Sequence, residues 1–429
     1  MNLQIVSILF VIFLIIGIPI GVVLCITSMV PNFINPLFPA DPQYLIRAMI
    51  SGVNSFPILA VPMFIFSGNI MAKGKISEKI FDLFSYFVVA RTAGLPIAVI
   101  ITCMFYGAIS GSGPATTAAV GTMTIPILAK AGYKKDFSTA LVAVAGGIGV
   151  IIPPSIPFIF YGQASGVSIS KLFIAGIIPG LLIGFFLMVY SWIYCKKNGE
   201  DKELILKYKK ELTELGLKRI FFDSILSLLC PIIVLGSIYT GIASPTEAAV
   251  ISVFYSIILS LIVYKSIGIK DLWEIMVETV RTYSTILFII AAAIAFSRVL
   301  IFLKAPDIIS AQITAVVSSK IALLLLVNFL LLMVGMIMDT TPAILVLTPI
   351  LLPIVSRFGV DPIQFGIIMV VNLAIGFVTP PLGVNLFVAS TISGVKMSDI
   401  VSRSAPFIIS FLVALLAITF VPTLSMIAI

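Results

Sequence analysis

Apolar runs of roughly twenty residues succeed one another from Leu3 to the C-terminus, each about long enough for a helix to cross the hydrocarbon core of a bilayer. No other feature restricts the fold as strongly. In lipid every backbone polar group must be paired within the protein, which leaves only helices and closed barrels. Of the 429 residues, 60% are hydrophobic and 10% charged, against about 25% charged in soluble domains. The expected fold class is an all-α polytopic membrane protein.

Other classes fall away on composition. The first run, Leu3–Val30, has no basic residues before it and no A-x-A site after it, so it is expected to be a span and not a cleavable signal peptide. Cys25, Cys103, Cys195 and Cys230 show no paired spacing, which points to packing and not to disulfides or a metal. Histidine is absent, removing the commonest metal ligand and neutral-pH proton shuttle. The net charge of +8 is expected to reflect basic cytoplasmic loops rather than nucleic acid.

The informative residues are those that interrupt the apolar runs. Tyr106–Pro126 is polar, small and helix-breaking at its centre, Ser110-Gly111-Ser112-Gly113-Pro114-Ala115-Thr116-Thr117. Backbone at membrane depth leaves the helix only where it is buried in protein or lines a cavity. Arg91 lies on one side of the run and Lys130, Lys134 and Lys135 on the other. Chain entry and exit on one face follow, so residues 92–131 are expected to be a re-entrant hairpin. The next segment, 137–167, is broken at Gly146-Gly147-Ile148-Gly149 and Pro153-Pro154-Ser155. Farther on, 320–357 has the same hairpin character around Met338-Asp339-Thr340-Thr341-Pro342, and 362–392 is broken at Gly376 and Thr379-Pro380-Pro381.

These features repeat at a fixed offset. Pro342 follows Pro114 by 228 residues, Pro381 follows Pro154 by 227, and Gly394-Val395 follow Gly166-Val167 by 228. Residues 1–195 therefore form a first repeat and 244–429 a second, joined by a hydrophilic loop, 196–219, and a connecting span, 220–243. Between the special elements, Leu3–Val30, Tyr44–Met71, Lys171–Cys195, Ile220–Thr240, Ala248–Tyr264, Leu272–Leu303 and Pro406–Ile429 are expected spans, and Ile76–Ala90 an interfacial amphipathic helix. With both hairpins non-crossing, the count is nine crossings. The basic residues then gather on one face, giving a cytoplasmic N-terminus, a periplasmic C-terminus and inverted repeats.

Inverted repeats with interrupted helices mark secondary transporters. Each hairpin tip should meet the break in the following span, offering carbonyls to a cation and half-helix N-termini to an anion. Ser110, Ser112, Thr116, Thr340 and Thr379 add neutral oxygens, which suit Na⁺. Asp339 is the acid placed deepest at a tip, at a cost of roughly 2.5–3.5 kcal/mol on insertion scales, so it is expected to be functional or solvated. Arg47 pairs with a substrate carboxylate or snorkels to the interface. Glu278 and Arg281, three apart on one helix, are expected to pair. Gly111-x-Gly113 and Gly146-Gly147-x-Gly149 are not nucleotide loops, and Gly-Lys-Ser/Thr does not occur. Without histidine, a serine or zinc hydrolase site is unsupported. A transporter is favoured over an enzyme; an ion channel, or a proton-coupled carboxylate transporter without a binding protein, is the alternative.

YGAISGSGPATTAAVGTMTIP, GGIGVIIPPSIPFIFYG, the Ser244–Ala249 turn SPTEAA and MDTTPAILVLTPILLP together resemble the large membrane subunit of TRAP (tripartite ATP-independent periplasmic) transporters. The resemblance covers essentially the whole chain. It implies an elevator-type, Na⁺-driven importer of organic acids in the bacterial inner membrane. C4-dicarboxylates and sialic acid are among the family's substrates. It also implies a small four-helix membrane subunit and a periplasmic binding protein, expected as separate chains because nothing precedes the first span. Carried over, a first Na⁺ site draws on Ser110, Ser112, Gly113 and the Gly146–Gly149 backbone. A second draws on Thr340, Thr341, Gly376 and Thr379. The carboxylate substrate would lie near Ser112, Ser155, Asp339, Thr340 and Asn385, with Arg47 a further candidate.

Overall fold

The computed structural model describes residues 2–317 and 319–429, and the regular structure among them is entirely helical. Eight of the described helices are long and apolar enough to cross a membrane.

The N-terminal region departs from expectation. In place of one span over Leu3–Val30 there are two helices, α1 (Asn2–Ile15) and α2 (Ile20–Ile34), each shorter than a bilayer crossing. Gly17 adopts φ +86° and the Ile18 amide reaches back to the Phe13 carbonyl, closing α1. The expected span Tyr44–Met71 is likewise divided. Between α3 (Pro42–Val53) and α4 (Ala60–Lys73), Asn54 and Ser55 leave the helix and Phe56–Leu59 forms a 3₁₀ turn. Pro57 is the cause, since its ring cannot follow a continuous helix.

Helix α5 (Ile76–Val88) is amphipathic as expected, burying Ile80, Phe81 and Leu83 and leaving Phe87 exposed. The first hairpin is α6 (Gly94–Ser110) and α7 (Gly113–Lys130). The broken segment after it comprises α8 (Lys135–Gly146), a 3₁₀ turn over Gly147–Val150, and α9 (Ile156–Ser165). Helix α10 (Ile169–Asn198) is a full span. The hydrophilic loop contains α11 (Lys202–Leu215), which buries Ile205 and Leu212 beneath its lysines. Then come α12 (Leu217–Tyr239), α13 (Pro245–Ile257) and the long α14 (Ile269–Phe302). Ser244 and Glu247 form a capping box that starts α13. After α15 (Ala305–Val316), the second hairpin is α16 (Lys320–Ile337) and α17 (Thr340–Arg357), and the second broken segment is α18 (Pro362–Gly376) and α19 (Val384–Ser393). The chain ends with α20 (Met397–Phe420) and the short α21 (Thr423–Met426).

Packing around the two hairpins is matched. Helix α6 lies on α8 and α16 on α18, while α7 packs against α19 and α17 against α9. Each half thus supplies the second half-helix that the other hairpin leans on. The crossings use glycine. A Cβ on Gly107 would sit 2.5 Å from the Gly149 Cα, and one on Gly376 would enter the Gly335 backbone.

Beside the hairpins, Lys79, Asp82, Arg219 and Asp223 line a small polar cleft between α5 and α12. Lys79 pairs with Asp223 at 3.1 Å. Burial pushes the Asp82 carboxyl up to about 6, with Glu78 adding to the shift and Lys79 opposing it. Because this folded value exceeds the unfolded one, the stability Asp82 contributes is fully present below about pH 4 and lost as pH rises through 6. The melting temperature of the wild type should therefore fall more steeply between pH 4 and 6.5 than that of Asp82→Asn; equal slopes would discount the carboxyl.

Candidate functional site

At the first hairpin tip, Gly111 takes φ +60° and ends α6, and Ser112 caps α7 by accepting from the Ala115 amide at 3.4 Å. The Thr116 hydroxyl donates to the Ser112 carbonyl at 2.7 Å and lies 3.0 Å from the Ser110 hydroxyl. This tip docks on the first break: the Ile156 amide donates to the Gly111 carbonyl at 3.3 Å. Gly149 lies directly beneath, where a Cβ would collide with the Thr116 hydroxyl and approach the Ser112 carbonyl at 3.0 Å. Three neutral oxygens, from Ser110, Ser112 and Thr116, thus converge over a glycine. The next residue, Thr117, faces Gly146, and its buried hydroxyl has no hydrogen-bond partner among the described residues.

At the second tip Asp339 caps α17. Its Oδ1 accepts from the Thr340 amide at 2.6 Å and the Thr340 hydroxyl at 3.2 Å. The second break docks on the same hairpin, with the Leu382 amide donating to the Met336 carbonyl at 3.0 Å.

Both tips open into one cavity of about 260 Å³. Ser110 and Ser112 line it from the first hairpin, and Asp339, Thr340 and Thr341 from the second. These five expected site residues are brought together. Others are not. Gly113 lies behind the tip against Phe377 and Asn385, and Gly146 and Gly149 lie beneath it. Ser155 is fully buried, donating to the Val150 carbonyl and capping α9. Thr379 donates to the Ile375 carbonyl at 2.7 Å, and Gly376 is packed on Gly335. Asn385 is fully buried and ties α19 to α8 through the Ala143 carbonyl at 3.1 Å, leaving its Oδ1 without a partner among the described residues. Arg47 is exposed on α3 and lines no part of the cavity. Ser155 and Thr379 share a local reason: a hydroxyl beside a helix break bonds a nearby backbone carbonyl before it reaches the cavity.

The far wall was missed from the sequence. It comes from Asn69 of α4 and from Glu278 and Thr282 of α14. Asn69 donates to Thr279 at 3.2 Å. The ion pairs among the described residues are Lys73–Glu274, Lys79–Asp223, Arg357–Asp307 and Arg403–Asp136. Glu278 and Arg281 therefore do not pair, contrary to expectation. Asn69 had left a signal, as the one amide inside the apolar run of α4.

Chemically, the cavity is rich in acceptors. Among the described residues no lysine or arginine lines it, and no three His, Cys, Asp or Glu side chains cluster as a metal site would require. Neutral oxygens of the kind gathered under the first tip suit a hard monovalent cation.

The family model for "Tripartite ATP-independent periplasmic transporter, DctM component" matches residues 7–424. The chain is 42% identical over 420 residues to the isethionate TRAP transporter permease protein DctMQ of Oleidesulfovibrio alaskensis, covering 97% of this chain and 65% of that protein's length. It is 34% identical to the 2,3-diketo-L-gulonate TRAP transporter large permease protein YiaN of Escherichia coli, covering 95% of this chain and 94% of that one. Identity to the C4-dicarboxylate TRAP transporter large permease protein DctM of Pseudomonas aeruginosa is 38%, covering 86% of each chain. In fold, the crystal structure of the Alcanivorax borkumensis YdaH transporter is similar, with a TM-score of 0.65 at 15% identity over 96% of this chain and 97% of that one.

Proposed function

The chain belongs to the DctM component family of tripartite ATP-independent periplasmic transporters, and from that premise we propose that it is the permease subunit of a Na⁺-coupled, binding-protein-dependent importer of an organic acid. It acts as a transporter subunit and not as an enzyme, and as a multi-span helical protein it fits the bacterial inner membrane. The observation that carries the finer reading is the single cavity shared by the two hairpin tips, one from each half of the chain. The matched packing of hairpins and breaks supports an inverted repeat, and with it an elevator-type movement.

In this reading one Na⁺ is held by Ser110, Ser112 and Gly113 over the Gly146–Gly149 backbone. A second is held at the other tip by Thr340 and Thr341. The substrate lies between the tips, against Ser112, Asp339 and Thr340. Two carboxylates and no basic side chain line the cavity, so an organic anion depends on the bound cations and the α7 N-terminus for its charge balance. That electrostatic dependence is the physical basis of coupling. The partners are a small four-helix membrane subunit and a periplasmic binding protein. The face bearing Lys73, Lys75, Lys130 and Lys134 is cytoplasmic, and the C-terminus is periplasmic.

Removing one hydroxyl ligand costs about 1 kcal/mol, or ~5-fold. Ser112→Ala and Thr340→Ala should each raise the Na⁺ concentration for half-maximal uptake by about that factor. Unchanged Na⁺ dependence in both would remove these residues from the cation sites.

A further inference from the structure

A second cavity, of about 250 Å³, lies along the same seam as the one at the hairpin tips. Helices α9, α14 and α17 line both; α4 completes the first and α3 the second. On α14 one i, i+4 ridge serves the two. Thr282 and Ile286 face the first cavity, Ile294 and Arg298 the second, and the buried Ile290 stands between them. Arg298 is thus ~24 Å beyond Thr282 along the helix axis. The Lys73–Glu274 pair puts the start of α14 at the cytoplasmic face in the reading above. This 34-residue helix then brings Arg298 to the periplasmic face.

The second cavity has the opposite chemistry to the first. Among the described residues no acid lines it, and Arg298 is its charged group. Gln163 has Oε1 committed to the Ser55 hydroxyl at 2.8 Å, so the part of its amide left for a ligand is the NH₂ donor. Ser297 adds a hydroxyl. Arg47 stands one turn before the lining residue Ser51, on the same face of α3. Helix α3 runs antiparallel to α14, with Gly52 against Ile294 and the Tyr44 ring edge-on to Phe302 at 5.4 Å. Arg47 and Arg298 are therefore at one level of the pair. Both are exposed, as groups that meet a ligand arriving from water must be. Charge of one sign in a cleft concentrates its counter-ion, and a guanidinium matches both oxygens of a carboxylate.

We propose that this cavity is a second anion site, where Arg298, with Gln163 and Ser297, holds the carboxylate of an organic acid at the periplasmic face before it reaches the hairpin tips. This rests on the transport reading above and adds to it a receiving station whose charge is opposite to that of the tip cavity.

The reporter is Ser297→Cys in a Cys25→Ala chain, reconstituted with its small membrane partner in phosphatidylcholine nanodiscs. Its rates of reaction with anionic sulfonatoethyl and cationic trimethylammonioethyl methanethiosulfonate are compared. Their ratio cancels any effect of Arg298 on the thiol itself. Adding Arg298→Gln should lower the anionic-to-cationic ratio at least ~5-fold, whereas Arg298→Lys should keep it, because charge and not packing sets it. Succinate, the probe carboxylate, should slow labelling at constant ionic strength when Arg298 is present and not in Arg298→Gln. A ratio unmoved by Arg298→Gln, or labelling indifferent to succinate, would overturn the proposal. Labelling that ignores succinate but slows when phosphatidylglycerol replaces phosphatidylcholine would assign the guanidinium to a lipid phosphate and overturn it too. In spheroplasts these impermeant reagents should label from outside; labelling confined to inside-out vesicles would put the cavity on the wrong face. Na⁺-driven uptake by the wild type is read separately. If uptake fails while succinate still protects, the anion site stands and its receiving role falls with the transport reading.

Discussion

Gly376→Ala is expected to abolish uptake. A Cβ at this position would run into the Gly335 backbone, and backbone cannot swing aside as a side chain can. The crossing of α16 over α18 must open, at an overpacking cost of roughly 1–3 kcal/mol. That displacement moves the second hairpin tip, and with it Asp339 and Thr340, away from the cavity they line. A shift of this kind costs at least ~10-fold in a site that depends on positioning. Gly107→Ala should behave alike, because its Cβ would lie 2.5 Å from the Gly149 Cα at the matching crossing. Gly236→Ala in α12, where a Cβ meets nothing within 4 Å, is the control and should keep normal uptake. Uptake per permease in the membrane and the melting temperature of each variant measure this. Normal uptake in both crossing variants would mean that the glycines do not set the tips.

The second large effect concerns movement. The Ser55 hydroxyl donates to Gln163 Oε1 at 2.8 Å, joining the turn between α3 and α4 to α9. If α9 travels with the hairpins while α3 and α4 stay, this contact must break in each cycle. Joining Ser55→Cys to Gln163→Cys with a short thiol cross-linker should stop uptake, and a reducible linker should restore it on reduction. Of the native cysteines, Cys103, Cys195 and Cys230 are buried, and the half-buried Cys25 is replaced by alanine in every variant. Each single-cysteine variant should keep its uptake under the same treatment. A cross-linked double variant that still transports would exclude relative movement at this contact.

Much of this architecture is legible in the residues because a membrane helix has few reasons to carry Gly, Pro, Ser and Thr together. That held for Ser110–Thr117 and for Asp339–Pro342, whose tips line one cavity. The same punctuation at Ile16–Pro19 and Asn54–Pro57 passed unread, because each apolar run was the length of a tilted span. What the residues could not disclose was direction. Ser155, Thr379 and Asn385 stand beside the breaks, yet each satisfies backbone instead of facing the cavity. The far wall was hidden for a tertiary reason, since only the packing of α14 and α4 against the hairpins turns Glu278 and Asn69 toward the tips. An i, i+3 pair such as Glu278 and Arg281 is weak, about 0.2–0.5 kcal/mol, and yields easily to that context.

The most direct measurement is uptake into proteoliposomes carrying this chain with its small membrane partner, supplied with the binding protein and its labelled organic acid. Under an inward Na⁺ gradient the account predicts accumulation, which disappears when the gradient is collapsed, when Na⁺ is replaced by choline, or when the binding protein is left out. Accumulation that persists without Na⁺, or at equal rate without the binding protein, would contradict it.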